Sequence, residues 1–230
     1  MPDEEGHVII VTPYLRPWYD PKFKTISEGV QFFREMLEFP GIQFIHHNHI
    51  AHLNGGFTNI VMHATSMYGP DSFHPLERDL KYDFSSRVRY RSRTERPPRY
   101  YFIDYGLSIL YKPEELPATV RAHEGGDKSV SEFLTDPDWR KRTPKHHPFA
   151  STSIMLVMHS EPSSADAKEL REMKGFGFME PLIAAMTEPD PAKRIQIDEA
   201  VKKFALIEKG RCRSLGVDSG THCTGNTGHP

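Results

Sequence analysis

Two short segments dominate the reading of this chain. One is the polar loop His52-Leu53-Asn54-Gly55-Gly56-Phe57-Thr58-Asn59; the other is Asp104-Tyr105-Gly106, directly behind Arg99-Tyr100-Tyr101-Phe102-Ile103, a run that reads as a strand. Helices are expected on either side of them. Thr25-Ile26-Ser27-Glu28 has the form of a capping box, and Val30, Phe33, Met36 and Leu37 follow at helical spacing, so an amphipathic helix starts near residue 26. It should stop or kink at Phe39-Pro40-Gly41, since an internal proline loses a hydrogen bond and clashes with the preceding turn, at about 3 kcal/mol. Ile42, Phe44 and Ile45 resume an apolar face. The last helices are read over Phe178–Met186 and Ile197–Ile207. The fold class is therefore α+β, mostly helical with a short β element.

The chain has 230 residues, of which 37% are hydrophobic, enough for the core of one large domain or two small ones. A net charge of -2 gives no global drive toward nucleic acid or an acidic membrane. Neither a charged-then-apolar signal segment nor an apolar run long enough to span a bilayer is legible, and the two cysteines, Cys212 and Cys223, both fall near the end of the chain. These features fit a reducing intracellular setting, cytoplasmic or nuclear.

Residues 1–6 read as a leader, 7–208 as the domain and 209–230, rich in Gly, Ser and Thr, as a disordered tail. His7-Val8-Ile9-Ile10-Val11-Thr12 is β-branched and breaks at Pro13, which predicts a strand running into an extended linker. Residues 63–97 form a long polar insertion in which Arg87, Arg89, Arg91 and Arg93 alternate at the period of a strand and would show one basic face. That face suits a phosphate-rich ligand such as RNA, or it is simply a solvated strand edge kept monomeric by charge. The plainer reading is the second, so the expected partner is a protein and not a nucleic acid. Asp127–Arg142 is polar and reads as loop, and Ser151–Met158 is a short apolar run cut off by Glu161-Pro162.

The spacing of the two key segments resembles a protein-kinase active site, where the catalytic loop reads H-R-D-x-x-x-x-N and the metal-binding turn reads D-F-G. With Gly177-Phe178-Met179-Glu180-Pro181-Leu182 and Asp190-Pro191-Ala192-Lys193-Arg194, the order of segments over residues 7–207 is similar to the C-terminal lobe of a eukaryotic-type protein kinase, in particular fungal (mushroom-type) kinase-like proteins. The resemblance implies a kinase-like C-terminal lobe with its β element at the cleft. By the same resemblance Thr12-Pro13-Tyr14-Leu15 falls at the hinge that binds adenine, so Thr12, Tyr14, Asn59, Asp104 and Gly106 would contact ATP. Asn59 and Asp104 would hold Mg²⁺, His52 would pack the loop, and Glu132 with Arg194 would form the ion pair tying the activation segment to the helical core.

Departures from the pattern are equally telling. Leu53 and Asn54 stand at the Arg and Asp positions, so the base is replaced by an amide that can orient a hydroxyl but cannot take its proton. General-base catalysis is worth roughly 10²–10⁴ in rate. No glycine-rich phosphate loop precedes residue 7 and no strand lysine is present, which implies that the N-terminal lobe is largely absent; Thr152 stands where the family has an anchoring aspartate. The expected function is a pseudokinase or kinase fragment working by binding, with residual ATP-dependent Ser/Thr-type phosphotransfer as the alternative. Asn59 and Asp104 keep two readings: Mg²⁺ ligands beside nucleotide phosphates, or a loop closure and a turn cap. His46, His47, His49 and His52 suggest a metal cluster by composition, but no cysteine accompanies them. Ser108, Ser151 and Ser160 lack a nucleophile-elbow context, which sets hydrolase readings aside.

Overall fold

The computed structural model describes residues 11–38, 41–69, 73–121, 138, 145–149, 175–190 and 193–214. Within them the chain is α+β, with helices packed beside small antiparallel sheets. The first helix, α1 (Ile26–Leu37), begins on the expected capping box: the Glu28 N–H donates to the Thr25 hydroxyl at 3.3 Å, and the Glu28 carboxylate accepts from the Thr25 N–H. Glu28 is also buried and accepts from the Thr94 N–H at 3.0 Å and its hydroxyl at 3.1 Å. One carboxylate thus caps a helix and pins a loop more than sixty residues away in sequence.

Helix α1 ends at Leu37, and α2 (Ile42–His47) follows with Ile42 and Ile45 buried but Phe44 largely exposed. Gly41 sits between them because a Cβ there would lie 2.0 Å from the Met36 carbonyl oxygen, so any side chain would drive the helices apart.

Three strands build the main sheet: β1 (Arg16–Pro17), β3 (Ile60–His63) and β4 (Arg99–Phe102), in the order β1-β3-β4. Its register pairs Arg16 with Met62, Ile60 with Phe102 and Met62 with Tyr100. Ile60, Met62, Tyr100 and Phe102 turn inward while Arg99 and Tyr101 stay out, the period of two that a half-buried sheet requires. A second, two-stranded ladder joins β2 (Ile50–Ala51) to β5 (Ile109–Leu110), and a third joins β6 (Val120–Arg121) to β7 (Lys145–His146). A short helix, α3 (Thr65–Tyr68), follows β3; α4 (Glu180–Met186) and α5 (Ile197–Ser214) come last. Arg34 of α1 pairs with Glu208 of α5, and Gln43 and His47 of α2 both bond Asp198.

Trp18 is the centre of the core. It stacks on Phe32 at 4.9 Å and on Phe57 at 4.8 Å, the two phenyl rings lying 6.4 Å from each other, so the N-terminal segment, α1 and the polar loop meet in one aromatic cluster.

Several expectations are corrected. Val11 and Thr12 are not in a strand, residues 7–10 lie outside the described set, and the linker read after Pro13 instead supplies β1, the buried Arg16 and Trp18. The insertion at 63–97 is not all polar surface, because Met67, Tyr68, Phe73 and Arg93 are buried. Its arginine run forms no strand beyond a single bridge at Arg87, and Arg93 leaves the exposed face for the core. Gly177–Met179 is a 3₁₀ turn, so the α-helix read from Phe178 starts at Glu180. Helix α5 continues past Ile207 to Ser214, taking 209–214 from the stretch read as tail. Glu132, Thr152 and the runs 127–137, 139–142 and 151–158 lie outside the described residues.

The Arg93 guanidinium donates to the Trp18 carbonyl at 2.9 Å, to the Pro21 carbonyl and to the Tyr100 hydroxyl, and lies 4.2 Å from the Phe23 ring centroid. Arg93→Ala leaves these acceptors dry and opens a void, so urea unfolding should show a loss of about 3 kcal/mol or more. Arg89→Ala, at an exposed position of the same run, should change stability by no more than about 0.5 kcal/mol.

Candidate functional site

The polar loop runs from β2 into β3, and the Asp104 turn runs from β4 into β5. Because β3 pairs with β4 and β2 with β5, both loops are gripped at both ends and set against each other. The Ile103 N–H donates to the Asn59 carbonyl at 2.9 Å, the Ser108 hydroxyl donates to the His52 carbonyl at 3.1 Å, and His52 Nε2 lies 3.1 Å from the Ile103 carbonyl oxygen. Two arms of chain about fifty residues apart are thereby laced together.

His52 is fully buried, with the Tyr105 ring at 4.5 Å and Phe102 at 5.6 Å. Burial holds its pKa below the ordinary histidine value, with the Ile103 carbonyl contact pulling the other way. With Nε2 donating to Ile103, neutral Nδ1 can accept from the Asn54 N–H at 3.3 Å, so one tautomer serves both contacts.

Asn54, Asn59 and Asp104 come together. The Asn54 side-chain amide donates to Asp104 Oδ2 at 3.0 Å, and the Asn59 amide donates to the Asn54 carbonyl at 2.8 Å. The three form one chain of bonds, with Asp104 exposed at its outer end. Asp104 adopts φ 63° and Leu53 φ 60°, both left-handed. Aspartate tolerates that region; a buried leucine there stores strain of roughly 1–3 kcal/mol, which the lacing of the loop must offset.

The donor set fits Mg²⁺ only in part. Asp104 offers one carboxylate with one oxygen already engaged by Asn54, Asn59 offers its amide oxygen, and among the described residues no cluster of three His, Cys, Asp or Glu side chains could hold a metal ion. A hard cation here would need phosphate oxygens to complete its shell. Gly106 lies exposed in the turn, where a Cβ would sit 3.5 Å from Asp104 Oδ1, so the glycine leaves room beside that oxygen. Thr12 is exposed outside any strand, and Tyr14 bonds the Pro75 carbonyl at 2.7 Å and packs on Phe73 at 5.7 Å. Neither forms a hydrogen bond with Asn59 or Asp104 among the described residues. Arg194 is buried, donating to the Glu188 carbonyl at 3.0 Å; its expected partner Glu132 is outside the described set.

Sequence reasoning missed Tyr105 as the ring over His52, Ser108 as the tie to its carbonyl, and the Asn54 side chain as a clamp on Asp104. None of the three leaves a short-range pattern in the sequence, because each contact joins residues about fifty positions apart. The histidines do not gather. His46 packs edge-on to Phe149 at 5.0 Å, His47 pairs with Asp198 at 2.9 Å, and His52 belongs to the loop. No family model matches the chain, and no curated protein matches it. Among the described residues no helix is long and apolar enough to cross a membrane.

Burial, with a smaller push from His47, takes the His46 pKa down to about 3. The unfolded chain protonates near 6.5, so it binds a proton that the folded chain refuses, and stability falls as pH drops below that value. His46 alone should cost up to about 2 kcal/mol between pH 7 and pH 5. His52 acts in the same direction, whereas Glu35 and Glu38, raised by burial, act in the opposite one. Urea unfolding at both pH values should therefore show a smaller acid loss in His46→Phe than in the parent; equal losses would contradict the assignment.

Proposed function

We propose that this chain is a protein-kinase-like C-terminal lobe, a pseudokinase or kinase fragment that works as a binding module for a protein partner. The observation that carries the reading is the Asn54 amide bonded to Asp104 Oδ2 at 3.0 Å. In the kinase scheme the residue at position 54 takes the proton of the substrate hydroxyl and the residue at 104 holds Mg²⁺. Here the first is neutral and its side chain is spent on the second. A base is missing and the metal-binding carboxylate is partly saturated by the same substitution, so phosphotransfer loses its proton acceptor and much of its electrostatic stabilisation. The buried His52 and the Asn59 bond to the Asn54 carbonyl support the family reading, since they frame a loop of the kinase type without needing activity. Low cysteine content supports a cytoplasmic or nuclear setting.

The alternative, an ATP-dependent kinase with residual activity, is favoured by one specific observation: Asn59 and Asp104 belong to one bonded chain whose outer end is exposed, where Mg²⁺ and nucleotide phosphates could reach it. Thermal unfolding with and without Mg-ATP separates the two, because a ligand of the folded state at a hundred times its Kd adds about 2.7 kcal/mol. We expect an unmoved midpoint and no phosphate incorporation. A raised midpoint with measurable transfer would establish the alternative.

The clamp itself is open to test. Asn54→Asp replaces the amide donor with a second carboxylate next to Asp104, which should cost about 1 kcal/mol or more in the absence of divalent cation and be partly recovered with Mg²⁺. A variant as stable as the parent, and indifferent to Mg²⁺, would remove the clamp from the argument.

A further inference from the structure

The arginine run takes no part in the site just described, and it lines an open groove of about 700 Å³ together with α3. Lys81, Arg87, Arg89, Arg91 and Arg96 all face this groove, with Tyr90 beside them, and no aspartate or glutamate is among its described lining residues. The backbone is held rather than loose: Arg91 N–H donates to the Met67 carbonyl at 3.0 Å, Val88 N–H to the Asp79 carbonyl at 2.9 Å, and Arg87 bridges Leu80. The groove is therefore a preformed concavity and not a collapsed stretch of charge.

Three arginines outside the groove are matched with carboxylates, Arg16 and Arg78 with Asp20 and Arg34 with Glu208. Arg87, Arg89, Arg91 and Arg96 are exposed, and among the described residues none forms such a pair. The Glu95 carboxylate is held below its usual pKa chiefly by the Ser92 N–H at 2.8 Å and hydroxyl at 2.9 Å, with Arg91 a lesser influence. Crowding several cations in one concavity is unfavourable without an anion to share, and a planar guanidinium with its fork of donors is the group best matched to phosphate oxygens.

We propose that this groove binds a small molecule carrying several phosphate groups. A groove of this volume is of the size that holds a single small ligand. Single-stranded RNA is less well served, because it needs successive rings on which to stack. Tyr90 is 40% exposed, but Tyr68 is buried against Arg16 and Phe73, and Arg93, the next arginine of the run, is inside the core. The basic surface is a cup rather than a continuous track.

Titration calorimetry of the full chain, with inositol hexakisphosphate as probe, tests this. Saturable binding is expected, weakening with added salt and falling at least tenfold in the double variant R89Q/R91Q. R89K/R91K should retain part of it, and R121Q, at an exposed arginine outside the groove, should retain all of it. The unfolding midpoint of each variant verifies that the fold persists; should R89Q/R91Q fail to fold, R96Q alone must show the loss. Absence of saturable binding, or equal affinity in R89Q/R91Q, would overturn the proposal. Equal affinity for inorganic phosphate would overturn the multiple-phosphate requirement, and tighter binding of an oligouridine RNA would overturn the ligand class in favour of RNA.

Discussion

The Arg93 guanidinium reaches three separate stretches of chain at once: the carbonyls of Trp18 and Pro21 with the face of Phe23, the Met62 sulfur in β3, and the hydroxyl of Tyr100 in β4. A buried cation is costly unless its donors are used, and here both terminal nitrogens are spent on groups that would otherwise be buried without partners, while Nε has none. That exchange holds the insertion, the N-terminal segment and the main sheet in one arrangement. The Trp18 ring, whose own carbonyl takes part, then stacks on Phe32 and Phe57, and Phe57 lies inside the polar loop. The position of the candidate site thus depends on contacts made well away from it.

Within the site, geometry follows from two ladders acting together. Strands β2 and β3 hold the ends of one loop, β4 and β5 hold the ends of the other, and cross-pairing leaves each loop little freedom. This is why left-handed Leu53 and Asp104 can persist: the frame determines their backbone from both sides. The same frame brings the Asn54 amide directly against the Asp104 carboxylate, at 3.0 Å.

Charge is distributed in two quite different ways. Arg16, Arg34 and Arg93 are structural, each with its acceptors supplied by the fold. The arginines at 87, 89, 91 and 96 are held on the surface of a groove without carboxylates of their own among the described residues. A single run in the sequence therefore divides between core and surface, and that division separates a packing role from a binding role.

Local chemistry was legible in the residues alone. The capping box at Thr25 and Glu28, the stop before Pro40, the strand at 99–102 and the pairing of His52, Asn59 and Asp104 with the loop and the turn all rest on short-range patterns, because hydrogen bonds to nearby backbone and the periods of helix and strand leave their mark within a few positions. The burial of Arg93 and Trp18, the second role of Glu28 as anchor for Thr94, and the clamp of Asn54 on Asp104 left no such mark. Each joins residues fifty or more positions apart, so it exists only after the chain has closed on itself. The sequence by itself determined the capped first helix, the strand at 99–102 and which polar groups enter the loops; tertiary structure decided which other stretches pair as strands and which polar groups are buried, paired or left facing a groove, because burial and pairing belong to the packed molecule and not to any segment of it.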